Sequence, residues 1–502
     1  MIDSIVEFVA NGVTIIKGVA SIKGIINIIK NRSGRDDRIH SSTGTGKDTP
    51  PDIISDEVIT VPGRRLAEKL AWLGRKAVSG GSYVIKVITN ERINSRSLSY
   101  NNRNNITIIL KGFGAKRTVK LSSKGSMFIV DSGVTLVLDS NITLIGRSNN
   151  SAPLVYVESG GIFKMNVGSA VTGNTTRDSG GGVYVGTNGV FRMYGGTISG
   201  NIARDNGGGV YVDTDGTFIM YGGAITGNTF KGFNITNTEN ETGITNSENG
   251  GGGVYAKGNF TMNGGTISGN TANSGGGVFV WNTFTMNGGK IISNKASEGG
   301  GVYVGTNGTF SIMDGTIIQN RASGSGGGVY VLVKGSFILI DGAITRNNAD
   351  ENGGGVYVNS SFNMIGGNIS SNTASRGGGV VLSSVGIFSM NGGIITGNIA
   401  IGYGDIGYAA IGLGGGVWVL GGIFKKKGGT ITGFGNTNYP NDDYNKVEDR
   451  SRTVRNGRGH AVYCKYWNRD YDKRKETTAG PEVDLFFDGH DGKPIWSGDW
   501  DK

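Results

Sequence analysis

One pattern constrains this chain more than any other: a Gly-Gly-Gly triplet followed by Val-aromatic-Val recurs along its middle. The first valine of each copy is Val183, Val210, Val254, Val278, Val302, Val329, Val356 or Val417, and Val380 opens a Val-Val-Leu version. Degenerate copies stand at Val155-Tyr156-Val157 and Val462-Tyr463-Cys464. The successive spacings are 28, 27, 44, 24, 24, 27, 27, 24, 37 and 45 residues. Each unit also carries Phe-x-Met (Phe191/Met193, Phe218/Met220, Phe260/Met262, Phe284/Met286, Phe362/Met364, Phe388/Met390) and Gly-Gly-x-Ile-x-Gly-Asn, as at Ile198 to Asn201. A unit is thus three short apolar runs of period two, the strand signal, separated by Gly and Asn. A propeller blade needs roughly 40–50 residues. Three strands in so short a unit fit one coil of a parallel β-helix. The predicted fold is all-β: a single-stranded right-handed parallel β-helix with three strands per coil, about 11 to 14 coils and an N-terminal capping helix.

Asn188-Gly189, Asp215-Gly216 and Asn307-Gly308 look like hairpin turns, which would give an antiparallel meander. The copies at Val254, Val278 and Val356 shorten this turn by two residues. Such a change breaks a hairpin register but not a coil corner. Within a coil, the two valines, the Phe and Met, and the Ile are predicted to point inward. A recurrent asparagine (Asn174, Asn201, Asn228, Asn270, Asn294, Asn320, Asn347, Asn372 and Asn398) follows the third strand. It reads as a structural ladder, tolerant of left-handed turns and bonded to neighbouring coils. The Gly triplet reads as a corner with positive φ. It recurs nine times without a following Gly-Lys-Ser/Thr, so it is not a phosphate loop.

The flanks divide the chain further. Residues 1–63 are an apolar leader and polar linker; in it, 4–29 are interrupted by Glu7, Lys17 and Lys23 and match neither a clear signal peptide nor a spanning helix. Contact of 4–29 with a membrane surface stays open at this point. Residues 64–105 are the N-terminal cap, its helix over 64–79 marked by Leu66, Leu70, Leu73 and Val78. Residues 106–436 are the β-helix. Residues 437–502 are a last irregular coil and C-terminal cap, with Trp467, Trp496 and Trp500 packing over it.

Composition removes several function classes. The chain has 502 residues, of which 92 are glycine and only seven proline, with no three-residue period, so it is not collagen. One cysteine, Cys464, excludes a disulfide scaffold, and His40, His460 and His490 all lie outside the repeats. No metal and no cofactor is expected. Residues 1–120 hold 20 basic and 10 acidic residues, 121–436 hold 17 and 16, and 437–502 hold 12 and 13. The neutral middle lacks the basic stripe of a nucleic-acid binder, so no nucleic acid is expected as partner.

Three surfaces are candidates for function. Insertions at 229–249, 399–413 and 434–456 all fall between the ladder asparagine and the next triplet, or its late equivalent, and so leave one side of the solenoid. The first two are six coils apart, roughly 29 Å along the axis. They supply the candidate ligand-binding residues Phe230, Phe233, Tyr403, Asp405, Tyr408, Tyr439 and Tyr444. Loops on one face are where a solenoid usually binds. The outward aromatics Tyr184, Tyr211, Tyr255, Phe279, Tyr303, Tyr330, Tyr357 and Trp418 form a stripe suited either to stacking on sugars or to packing as a ladder. Asp178, Asp205, Glu248, Glu298, Asp350 and Glu351 precede the triplets, with Arg177, Arg204, Arg321 and Arg376 in the same corner, and Asp213 and Asp215 share another. No catalytic residue is assigned.

This repeat unit resembles proteins of the pectate-lyase-like β-helix class. It is most similar to surface repeat proteins of spirochaetes and other host-associated bacteria, and in style to autotransporter and polymorphic outer-membrane passengers. The block Leu66 to Leu73 followed by Gly80-Gly81-Ser82-Tyr83 looks like the start of the spirochaetal type. The resemblance implies a non-catalytic surface or secreted protein, adhesin-like or structural, binding a glycan or a host or neighbouring-cell protein. The alternative it implies is a polysaccharide lyase or glycoside hydrolase.

Overall fold

The computed structural model describes residues 58–100, 103–232, 249–402 and 414–432, and the segments 445–448, 462–466, 469–473, 483–487 and 494–497. Successive repeat copies stack as a parallel β-solenoid of about 12 turns. The right-handed sense is the one that parallel crossovers take almost without exception. Every copy of Val-aromatic-Val pairs in register with the next, from Val155↔Val183 through Val210↔Val254 to Val417↔Val462. The Phe-x-Met strands make a second sheet and the Ile strands a third. A fourth, unexpected element is a ribbon of two- or three-residue strands just after the ladder asparagine, such as Ile202–Ala203, Lys295–Ala296 and Ile399–Ile401.

Inside, like stacks on like. Ten phenylalanines from Phe163 to Phe424 pile with ring centroids 4.5 to 5.1 Å apart, all essentially without exposure. Met165, Met193, Met220, Met262 and Met286 form the adjacent column, continued by Ile312, Leu339, Met364 and Met390. It ends on Lys426, where burial lowers the ammonium pKa.

The ladder asparagines are buried and fully hydrogen-bonded. Asn294 donates from Nδ2 to Asn320 Oδ1 at 3.0 Å and to the Ile267 carbonyl at 3.0 Å, and its backbone N–H reaches the same Oδ1 at 2.9 Å. Its own Oδ1 accepts the two equivalent bonds from Asn270. Both donors and both lone pairs of the amide are used. The ladder runs further than its nine expected members: Asn150 donates into Asn174 at one end, and Asn398 into Asn445 at the other.

Two expectations about turn chemistry are corrected. The left-handed residue is the one before the asparagine: Gly269 at φ 61°, and non-glycine residues at Ser293 (56°), Gln319 (57°), Arg346 (54°) and Ser371 (56°). Within each triplet only the first glycine has positive φ, as at Gly251. The second and third are glycine because coils approach too closely for a side chain; a Cβ on Gly253 would lie 2.6 Å from the Gly277 carbonyl oxygen. Asn188, Asp215 and Asn307 do adopt positive φ, but as corners between parallel strands.

The ends differ from the repeats. Helix α1 (Leu66–Lys76) buries Leu66 and Leu73, and Trp72 meets Tyr83 edge-on at 6.2 Å. Coils begin ahead of residue 106, because Ser82–Val87 already pairs in register with Ile106–Gly112. At the other end two antiparallel hairpins stop the parallel stack: Val462–Tyr466 with Arg469–Lys473, and Val483–Phe487 with Pro494–Ser497. Trp496 lies in the last of these strands, whereas residues 1–57, Trp467 and Trp500 fall outside the described residues.

Asn294→Ala strands two donors of Asn270 and takes one donor each from the Ile267 carbonyl and from Asn320 Oδ1, which keeps the backbone N–H of residue 294, and should cost about 3–5 kcal/mol in urea unfolding. Gln319→Gly should instead raise stability by about 0.5–1 kcal/mol by relieving a left-handed non-glycine residue, and Gln319→Val should lower it.

Candidate functional site

The corner between the short ribbon and the glycine triplet takes two of the long additions to the coil. Residues 231–249 and 402–413 both lengthen it, and the ladder partners that bracket them (Asn228 with Asn270, Asn398 with Asn445) stay bonded across 42 and 47 residues. The third expected insertion divides differently. Asn445 sits in the ladder, so 433–444 precedes the asparagine instead of following it. Of the candidate ligand-binding residues, Phe230 is placed by the short ribbon, where it pairs with Ala203. Its ring is buried at 8% exposure, against the expectation of a ligand-facing side chain. Phe233, Tyr403, Asp405, Tyr408, Tyr439 and Tyr444 lie outside the described residues.

Phe230 occupies a column that the sequence reading overlooked. Ala203, Ala272, Ala296, Ala322, Ala349, Ala374 and Ala400 are its buried equivalents. Their signal is plain in retrospect: an alanine two residues after the ladder asparagine in seven coils. Small side chains let the ribbon lie close against the coil.

The aromatic stripe expected to point outward is covered. The rings from Tyr156 to Tyr357 stack at 4.7 to 5.3 Å. Phe279 and Tyr303 have no exposed surface, and Tyr211, Tyr255 and Tyr330 are nearly closed. The corner backbone lies over them: a Cβ on Gly326 would come within 2.7 Å of Tyr330 Cβ. Tyr184 donates to Asp213 Oδ2 at 2.8 Å, and Asn359 Nδ2 donates to Tyr330 Oη at 3.0 Å. Burial raises the Tyr184, Tyr211 and Tyr330 phenol pKa values. The faces of these rings are spent on one another, so the stripe is a packing ladder and not a sugar platform.

The acidic corner is partly committed too. Partial burial pushes the Asp213 pKa up, but hydrogen bonds from Tyr184 and the Thr214 N–H, with Lys257 at 3.3 Å, hold it below the ordinary carboxylate value. Asp350 makes a two-bond pair with Arg321. Asp205 accepts from Ser179 and Asn206, and beside it Asp178 is raised by burial and then by the Asp205 charge. Glu298 is raised by burial and then by Glu351. Glu248 lies outside the described residues. Ser323, Asp350, Glu351, Ser375 and Arg376 line an open groove in the coils leading to the 402–413 insertion, and the Arg376 guanidinium lies 5.6 Å from the centre of the Trp418 ring. Among the described residues no three His, Cys, Asp or Glu side chains gather as a metal site, and no helix is long and apolar enough to cross a membrane.

The fold and this corner define the chain as a parallel β-solenoid repeat protein. No protein-family model matches it, and no curated protein or solved structure is significantly similar to it.

Glu298 gives a pH test. Its folded pKa is raised above the ordinary 4.5, so its ionisation opposes folding. That penalty is absent below about pH 4 and grows as pH rises through the folded pKa. Glu298→Gln should therefore raise the melting temperature at pH 7 and leave it unchanged at pH 3.5.

Proposed function

We propose that this chain is a non-catalytic scaffold of the cell surface or extracellular space, adhesin-like or structural, which binds a glycan or protein ligand at its insertion-bearing corner. The observation that carries this reading is the confinement of two long insertions to one corner, six rungs apart, while the rungs between them keep a single register. Both additions leave the stack at the same corner of its cross-section. The groove of Glu351 and Arg376 lies on the same side, between them. The likeness of the repeat unit to surface repeat proteins of spirochaetes, and in style to autotransporter passengers, supports an exported role.

The polysaccharide lyase or hydrolase reading has less behind it. Asp213, its first candidate, already holds a tyrosine hydroxyl, a backbone N–H and a lysine.

Residues 233–248 and 403–413 can each be replaced by a short Gly-Ser link while the ladder asparagines are kept. The variant should melt like the parent and lose binding to a glycan array or to host-cell protein extracts. Retained binding would remove the corner as the site. Release of unsaturated or reducing-end products from polygalacturonate, abolished by Asp213→Ala, would replace this reading with the enzymatic one.

A further inference from the structure

The first rungs carry an asymmetry that the ligand-binding corner does not use. It lies where the Phe–Met sheet turns toward the Ile sheet. There the chain exposes Ile88 (41%), Phe113 (51%), Val167 (75%) and Tyr221 (45%), each just past the end of its strand. These four side chains stand along one edge over six successive rungs, about 24 Å. Tyr194, between Val167 and Tyr221, stacks on Tyr221 at 5.0 Å.

Charge follows the same edge. The segments 82–90, 106–117, 134–141, 162–169, 190–196 and 217–223 hold Lys86, Lys111, Lys116, Arg117, Lys164 and Arg192 against a single acid, Asp139. Asp139 is shared between Lys111 and Asn166. The equivalent segments of the next six rungs (259–265, 283–289, 309–315, 336–342, 361–367 and 387–393) contain no cation and two acids, Asp314 and Asp341. Lys164 and Arg192 are register neighbours, and burial, then the Arg192 charge, lowers the Lys164 pKa.

The turn at Phe113 is braced to present its ring. Arg117 Nε donates to the Phe113 carbonyl at 3.2 Å, and Lys86 Nζ lies 5.3 Å from the ring centroid. An apolar tip held among cations on a rigid edge has the character of an interfacial membrane anchor. A hydrophilic polyanion would satisfy the cations but would leave Ile88, Phe113 and Val167 in water.

We propose that this edge docks on an anionic lipid surface, with Phe113 and Val167 entering the headgroup boundary and Lys86, Lys116, Lys164 and Arg192 facing acidic headgroups. The cations supply long-range attraction that salt screens, and the apolar tips supply contact that salt does not weaken. The docked solenoid would keep its insertion-bearing corner as a separate surface.

The test is sedimentation of the full chain with vesicles of phosphatidylglycerol and phosphatidylcholine, and with phosphatidylcholine alone. Binding is expected only to the anionic vesicles, weakening as salt rises. Phe113→Ser with Val167→Ser, and separately Lys164→Ser with Arg192→Ser, should each weaken it about 10- to 30-fold at an unchanged melting temperature. Absence of vesicle binding by the parent overturns the proposal, as does binding that neither double variant alters. Vesicle binding that is lost with Lys164→Ser/Arg192→Ser but indifferent to Phe113→Ser/Val167→Ser, with equal retention on heparin, would also overturn it and leave a polyanion patch. Loss of glycan or protein binding on shortening the insertions reports on the other corner and leaves this result untouched.

Discussion

A buried side-chain amide has to find a partner for each of its donors and lone pairs, and in this chain the partner is the same amide one turn away. From Asn201 to Asn398 each ladder amide donates forward to the next asparagine and back to a carbonyl of the preceding coil. Every turn must therefore bring the chain to the same point in the cross-section. The separation between partners ranges from 24 to 47 residues, yet the bonds stay between 2.8 and 3.1 Å from Asn201 to Asn445. Extra chain is accommodated between ladder members, after Asn228 and Asn398 and before Asn445, so long as each asparagine returns to its place.

The rest of the cross-section follows from that closure. Coils stacked at strand spacing place identical side chains in contact, so Phe packs on Phe and Val on Val. The closest approach falls at the triplets, where carbonyl oxygens of the next coil fill the space a side chain would take. The triplet corner then folds over the aromatic column and closes it. A stripe that alternation alone assigns to solvent becomes a second, smaller core beside the main one.

The two surfaces that remain for function are opposite in kind. One is a corner where the ladder tolerates extra chain, bearing paired and half-buried acids. The other is an edge of the opening rungs, where exposed apolar tips alternate with uncompensated cations. If both proposals hold, their separation along the solenoid would let one side hold a surface while another meets a ligand.

The repeat spacing by itself determined the parallel coil, the identity of the inward columns and the asparagine ladder, because a period of two within strands and a return every 24 or 27 residues leave few other ways to bury those side chains. The burial of Tyr303, the role of Ala322 and its equivalents, the place of Asn445 in the ladder and the exposure of Phe113 were decided only in three dimensions. Each depends on what a neighbouring coil or corner lays over a residue. The pattern within one strand says which way a side chain points, but not whether the chain returns to cover it.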